Sequence, residues 1–365
     1  MKNKHVVTYV LLFTLVLSGC SVTKVSNEKP RAEAKNIIML IGDGMGVSQL
    51  YAGMSISRQP FFLEKFPYAG LCKTFSSDNY VTDSAAGGTA IASGEKTNNG
   101  MIGVTPDGKP VSSIVEIAHN NGLSTGVVST SSVTHATPAS FVAHNAGRGN
   151  YEDIAADFLN GTIDLFIGGG ENHFRTRKDG RDLTTDLKKA GYEVVYSMDE
   201  LKKSNSPKIA GLLAKEHLPK VIEGRGAMLE EMTKKAIEIL SRDEDGFFLM
   251  VEGSMIDWGA HDNNIEYTST EVVDFDKAVG VALEFAGIDK ETLVIVTADH
   301  ETGGLSVTGG NMKENTVEAN FAGKNHTGVL VPIFSIGPGA ERFSGIHDNT
   351  FFFNEFLDLL KINKK

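Results

Sequence analysis

The chain is poor in cysteine, with only Cys20 and Cys72 among 365 residues. Two cysteines build no disulfide framework. Cys72, inside YAGLCKTF, reads as a buried strand residue. Basic residues are not in excess: 35 Lys and Arg against 46 Asp and Glu leave a formal charge of -11. That balance argues against a general nucleic-acid-binding surface. It leaves room for an anionic small molecule, because bound metal ions invert the local charge. There is no repeat, no low-complexity block and no apolar run long enough for a comfortable membrane span. Tryptophan occurs once, as Trp258 in EGSMIDWGAH.

The first segment, MKNKHVVTYVLLFTLVLSGC, has a basic start, an apolar run and a small-residue end, the pattern of an export signal. Its end, Leu17-Ser18-Gly19-Cys20, resembles a bacterial lipobox. Cys20 is then expected to be the lipidated first residue of the mature protein, the only membrane contact, on a membrane facing the periplasm or cell exterior. Residues 20–35, polar and containing a proline, read as a tether, and the folded domain is expected over 36–365.

What is present is a recurring design. NIIMLIGDG, LSTGVVST (123–130), TIDLFIGGG (162–170), GFFLMVEG (246–253), TLVIVTADH (292–300) and VLVPIFSIGPG (329–339) are apolar runs that end in polar or Gly-rich turns. Helical patterns lie between them at 111–121, 151–160, 227–242, 266–286 and 350–361. Continuous apolar strands alternating with helices predict an α/β fold, a mostly parallel sheet covered on both faces. Segment 171–225 is expected to be an insertion lying over the sheet, and 306–325 a loop excursion.

Ligands of open α/β sheets sit beyond the carboxyl ends of strands. Asp43, His135, Thr137, Glu252, Asp299 and His300 all follow an apolar run closely. Asp257 and His261 are four apart, so on a helix they share a face and can bind one ion. His326, in KNHTG, is a further candidate. Carboxylates mixed with imidazoles suit zinc, and a carboxylate–hydroxyl set suits magnesium. Each alone has a bland reading, as a helix cap or a satisfied polar group. Ser84 in VTDSAAGGTAIASG stands at the start of a small-residue helix, where free N–H groups favour an anion. Its bland reading is a helix cap at Asp83 or Ser84.

Taken in order, GDGMG, TDSAAGGTA, THATPA, VEGSMIDWGAH, TADHETGG and NHTG resemble the motifs of the alkaline phosphatase family, from about residue 36 to the C-terminus. The resemblance implies a large mixed sheet between helices, with little of the crown insert usual in the family. It implies a phosphomonoesterase with broad substrate range, two zinc ions and one magnesium ion. Ser84 takes the place of the nucleophile that becomes a phosphoserine. Asp257, His261 and His326 take the first zinc site; Asp43, Asp299 and His300 the second. Asp43, Thr137 and Glu252 take the third, normally magnesium. Arg148, in AHNAGRGN, matches the phosphate-clamping arginine through a weaker local motif. Trp258 and His135 stand where some relatives carry Lys and Asp, and are expected to tune phosphate affinity. The resemblance leaves a homodimer open.

Among related chemistries, a sulfatase nucleophile lies in Cys/Ser-x-Pro-x-Arg, whereas Ser84 is followed by Ala85-Ala86-Gly87-Gly88. A phosphodiesterase would replace Arg148 with room for a second ester group. A phosphomutase is a further rival. A non-catalytic metal- or phosphate-binding lipoprotein conflicts with a complete ligand set around an intact serine.

Overall fold

The apolar runs become buried strands. A computed structural model describes residues 33–363; the signal segment, Cys20 and most of the tether lie outside the described residues. In chain order the strands are β1 (Asn36–Gly42), β2 (Tyr68–Lys73), β3 (Ser124–Ser132), β4 (Leu165–Gly169), β5 (Glu193–Val195), β6 (Ile209–Leu212) and β7 (Phe247–Gly253). They continue with β8 (Thr292–Thr297), β9 (Glu301–Thr302), β10 (Leu305–Asn311), β11 (Thr316–Phe321), β12 (His326–Thr327), β13 (Val331–Ile336) and β14 (Gly345–Asp348).

Ten strands form one mixed sheet in the order β14-β2-β13-β8-β1-β7-β3-β4-β6-β5. β13 runs antiparallel to both of its neighbours, and the other pairings are parallel. Every residue of β1, β7 and β8 is buried, as strands covered on both faces require. One helical layer contains Val47–Ile56, Met228–Leu240 and Ile265–Asp289; another contains Ser84–Ser93, Ile114–Asn120 and Phe351–Leu359. Cys72 is buried in β2, as expected. No helix among the described residues is long and apolar enough to cross a membrane.

Two expectations need correction. Segment 171–225 does not lie over the sheet: its strands β5 and β6 extend the sheet beyond β4. IAGL and EVV are too short to announce themselves as strands, and backbone pairing with β4 supplies what their sequence does not. Segment 306–325 is not a loop. It is mostly an antiparallel hairpin of β10 and β11, with alternating exposure along β11.

The parallel order sends the carboxyl ends of β1, β3, β7 and β8 to one edge of the sheet. β1 sits between β7 and β8, and β7 between β1 and β3, so these four ends are neighbours.

Candidate active site

Asp43 follows β1, Glu252 lies near the end of β7, and Asp299 and His300 follow β8. Thr137 sits on a single helical turn, Ala136–Ala139, after β3. Asp257 and His261 lie on the short helix Met255–His261 that leaves β7, and their i,i+4 spacing brings His261 Nε2 to 3.3 Å from Asp257 Oδ1. His326 opens β12 and pairs with Thr302 of β9.

Ser84 begins the Ser84–Ser93 helix, capped by Asp83, whose side chain accepts from Ala86 N at 3.0 Å. The bland reading is thus correct for Asp83 and leaves Ser84 free. Ser84 Oγ lies 3.2 Å from His300 Nε2 and 3.5 Å from Asp43 Oδ2. Small residues permit this approach. A Cβ on Gly87 would come within 3.1 Å of Asp299 O, and one on Gly88 within 2.9 Å of Ser140 Oγ.

Three groups of side chains come together with ligand atoms within 4.8 Å of one another: Asp257, His261 and His326; Asp43, Asp299 and His300; and Asp43, His135 and Glu252. The first two are the expected sets. The third brings in His135, and Thr137 Oγ1 lies 3.4 Å from Asp43 Oδ2.

The chemistry of these donors fits cations. Asp43 Oδ1, Asp299 Oδ2, Glu252 Oε1 and His135 Nδ1 are buried without a hydrogen-bond partner. Uncompensated buried acceptors are costly, and a cation is the partner that would relieve several at once. Burial, then the neighbouring Asp299, Asp257 and Glu252, holds Asp43 well above the usual carboxylate range. Burial also pushes Glu252 up to about 7 and, helped by Asp257, Asp299 up to about 6. Burial pushes the His300 and His326 rings down to about 4. Those rings are neutral at pH 7, the form that binds metal. Burial works to raise Asp257, but the hydrogen bond from His261 and, at the acid pH where those rings are protonated, the charges of His300 and His326 hold it below its usual range.

Arg148 Nη1 is 2.8 Å from Asp83 Oδ2, so the expected phosphate clamp is tethered beside Ser84. His135 and Trp258 meet edge to face, with ring centroids 5.7 Å apart.

Sequence reasoning missed several participants. His217 packs edge-on against Trp258 at 4.6 Å and His135 at 5.8 Å, and its Nδ1 accepts from Ser132 N at 3.0 Å. The stretch after it is pinned by a buried ion cluster: Arg225 contacts Glu271 and Asp274, and Val221 N donates to Glu271 Oε1 at 2.9 Å. Ser129 donates to Glu252 Oε2 at 2.5 Å. Thr302 Oγ1 donates to Asp257 Oδ1. Ser129 and Thr302 lay inside quoted motifs. His217 carried no signal beyond its being a histidine.

A family model described as alkaline phosphatase matches residues 34–322. Alkaline phosphatase 4 of Bacillus subtilis is 36% identical, with 93% of this chain and 91% of that protein covered. The structure of alkaline phosphatase from the Antarctic bacterium TAB5 superposes with a TM-score of 0.87 at 43% identity, covering 92% of this chain and all of that one. A variant of that enzyme with His replaced by Asp, described as having Mg bound in the M3 site, also has a TM-score of 0.87, at 42% identity and the same coverage.

Proposed function

Because the chain belongs to the alkaline phosphatase family, we propose that it hydrolyses phosphate monoesters to alcohol and inorganic phosphate through a phosphoserine on Ser84. Two zinc ions and one magnesium ion belong to this reading, with a broad substrate range. The observation that carries it is the placement of Ser84 Oγ against His300 and Asp43, at the meeting of three ligand groups.

Asp257, His261 and His326 would hold one zinc, Asp43, Asp299 and His300 the other, and Asp43, Thr137 and Glu252 the magnesium, with His135 close by. When bound, such ions stabilise entering and leaving oxygens and make a hydroxyl or water acidic near neutral pH. The chain's own residues do the rest. The Ser84–Ser93 helix directs its free N–H groups toward the phosphoryl group. Arg148, fixed by Asp83, offers its guanidinium fork to two phosphate oxygens. Ser84 Oγ forms a bond to phosphorus as the ester P–O bond breaks, and the alcohol leaves with a proton. Water then attacks the same phosphorus, the Ser84 Oγ–P bond breaks, and the serine regains its proton.

Trp258 and His135 replace charge by rings next to this pocket. Trp offers one N–H donor and no charge. Weaker phosphate retention and faster product release follow, since release often limits such enzymes. The Cys20 lipobox and polar tether support export and lipid attachment; Cys20→Ser is expected to release active protein into the aqueous fraction, and retention in the membrane pellet would contradict it.

The test is hydrolysis of p-nitrophenyl phosphate against its bis-ester, with and without chelator. Chelator-sensitive turnover of the monoester in large excess over the diester is expected. A preference for the diester would favour a phosphodiesterase.

A further inference from the structure

We propose that Glu301 is a positioning residue that sets the spacing of the two zinc ligand sets, an inference that rests on the metal reading above. Glu301 follows His300 directly and is 4% exposed. Its Oε1 accepts from Gln49 Nε2 at 2.5 Å and from Leu305 N at 3.1 Å. Its Oε2 accepts from Gly304 N at 3.2 Å and from the Thr327 hydroxyl. Four donors converge on one acceptor-only group, an arrangement that suits a carboxylate and no other side chain.

These donors come from three ligand-bearing segments. Gln49 is on the Val47–Ile56 helix, which starts just after Asp43. Gly304, in the turn after Asp299 and His300, and Leu305, the first residue of β10, belong to one segment. Thr327 follows His326. At the ligands themselves the segments of His300 and His326 meet in the β9–β12 pairing, two residues a side: His326 with Thr302 and Thr327 with Glu301. Backbone bonds from Gly303 N to Asn325 O and from Gly323 N to Gly303 O lead on to the β10–β11 hairpin, and the Glu301 carboxylate adds a side-chain rung at the ligand end of this ladder. Gln49 Nε2 reinforces the same point by donating to Thr302 O at 2.6 Å.

What this fixes is a ring-to-ring distance. His300 and His326 belong to different ligand sets, yet their rings stack at 3.6 Å between centroids, 19° from parallel. Thr302 Oγ1 sits between the sets as well, 3.3 Å from His300 Nδ1 and bonded to Asp257. A shift of β12 against β9 therefore changes both sets together. Outer partners of metal ligands cost about 10–100-fold in metal affinity or activity when removed. Truncating Glu301 also leaves its N–H donors without their acceptor in a buried place.

The experiment compares wild type, Glu301→Ala, Thr327→Val and Thr327→Ser. Each is stripped with chelator, then titrated with zinc against a chromophoric competitor and, separately, loaded with cobalt(II) for its visible spectrum. Melting of the stripped proteins is recorded alongside. Glu301→Ala is expected to weaken zinc about 10–100-fold, alter the cobalt bands and lower kcat with little change in KM. Thr327→Val is expected to shift the same readouts less. Thr327→Ser, which keeps the hydroxyl, is expected to restore them. Should Glu301→Ala not fold, the Thr327 pair decides. Variants that melt earlier but keep wild-type zinc affinity, cobalt spectrum and kcat would make Glu301 a brace of the turn alone and overturn the proposal. A wild-type protein that takes up neither ion would overturn the metal reading itself, and the proposal with it.

Discussion

The two sets of histidine and carboxylate side chains share a face but not an environment. At the lip, His261 is 34% exposed in its side chain, His326 13% and Asp257 6%, whereas Asp43, Asp299 and His300 on the floor are fully buried. The lip is already paired: Asp257 bonds to His261 and Thr302, and His261 Nε2 lies 3.1 Å from His326 Nε2. The floor holds unpartnered oxygens of Asp43 and Asp299. The second oxygen of each carboxylate is hydrogen-bonded, but a buried acceptor left over is costly, so the floor depends on a cation more than the lip does. An exposed, internally paired set can release an ion to solvent and recover; a buried acidic one is left with carboxylates that burial drives to take up protons.

The largest effect expected is from removal of all divalent ions. Turnover of p-nitrophenyl phosphate should fall to background, and zinc with magnesium should restore it better than zinc alone. During slow chelation, the first ion should leave from the lip, read as loss of one zinc per chain at unchanged far-ultraviolet circular dichroism. Simultaneous loss of both would erase the distinction between the sets.

Next come the ligands themselves. His300→Ala is expected to lower kcat/KM by more than the roughly hundredfold that outer partners cost. His261→Ala should lose less and regain activity in excess zinc. Equal losses that excess zinc does not rescue would break the comparison.

Proton release on metal loading is a smaller effect with a definite sign. Burial raises Glu252 to about 7 and Asp299 to about 6, so both are partly protonated in the ion-free protein near pH 6.5. Ligands bind deprotonated, so loading must expel these protons. At the lip, the hydrogen bond with Asp257 raises His261, which adds a proton of its own, while Asp257 is already ionised. Calorimetric loading in two buffers of different ionisation heat should show more protons released at pH 6.5 than at pH 8.5. Glu252→Gln should reduce the release at pH 6.5, and a pH-independent release would contradict these shifts.

The smallest effect is expected from the ring wall. Trp258→Lys with His135→Asp should tighten inhibition by inorganic phosphate about tenfold, some 1.4 kcal/mol, and slow turnover. Unchanged inhibition would leave Trp258 as packing against His217.

Legibility followed the same division of the molecule. β1, β7 and β8 were readable because fully buried strands are continuous apolar runs, and the residues beyond them were therefore readable as site residues. Asp257 and His261 were readable from a helical spacing. The short strands β5 and β6 were not, since three or four residues carry no period. The β10–β11 hairpin was masked by its glycines and asparagines. Glu301 was quoted within TADHETGG, but its role depends on Gln49, 252 positions away in sequence. His217 depends likewise on Trp258 and His135, and no local pattern encodes such meetings.

The central claim is that Ser84 carries the phosphoryl group. Mixing the zinc- and magnesium-loaded protein with a ³²P-labelled monoester and quenching in acid tests it most directly. Wild type should yield a labelled peptide containing Ser84, and Ser84→Ala should bind zinc as before yet yield no label and almost no turnover. Label or sustained turnover in the Ser84→Ala protein would contradict it.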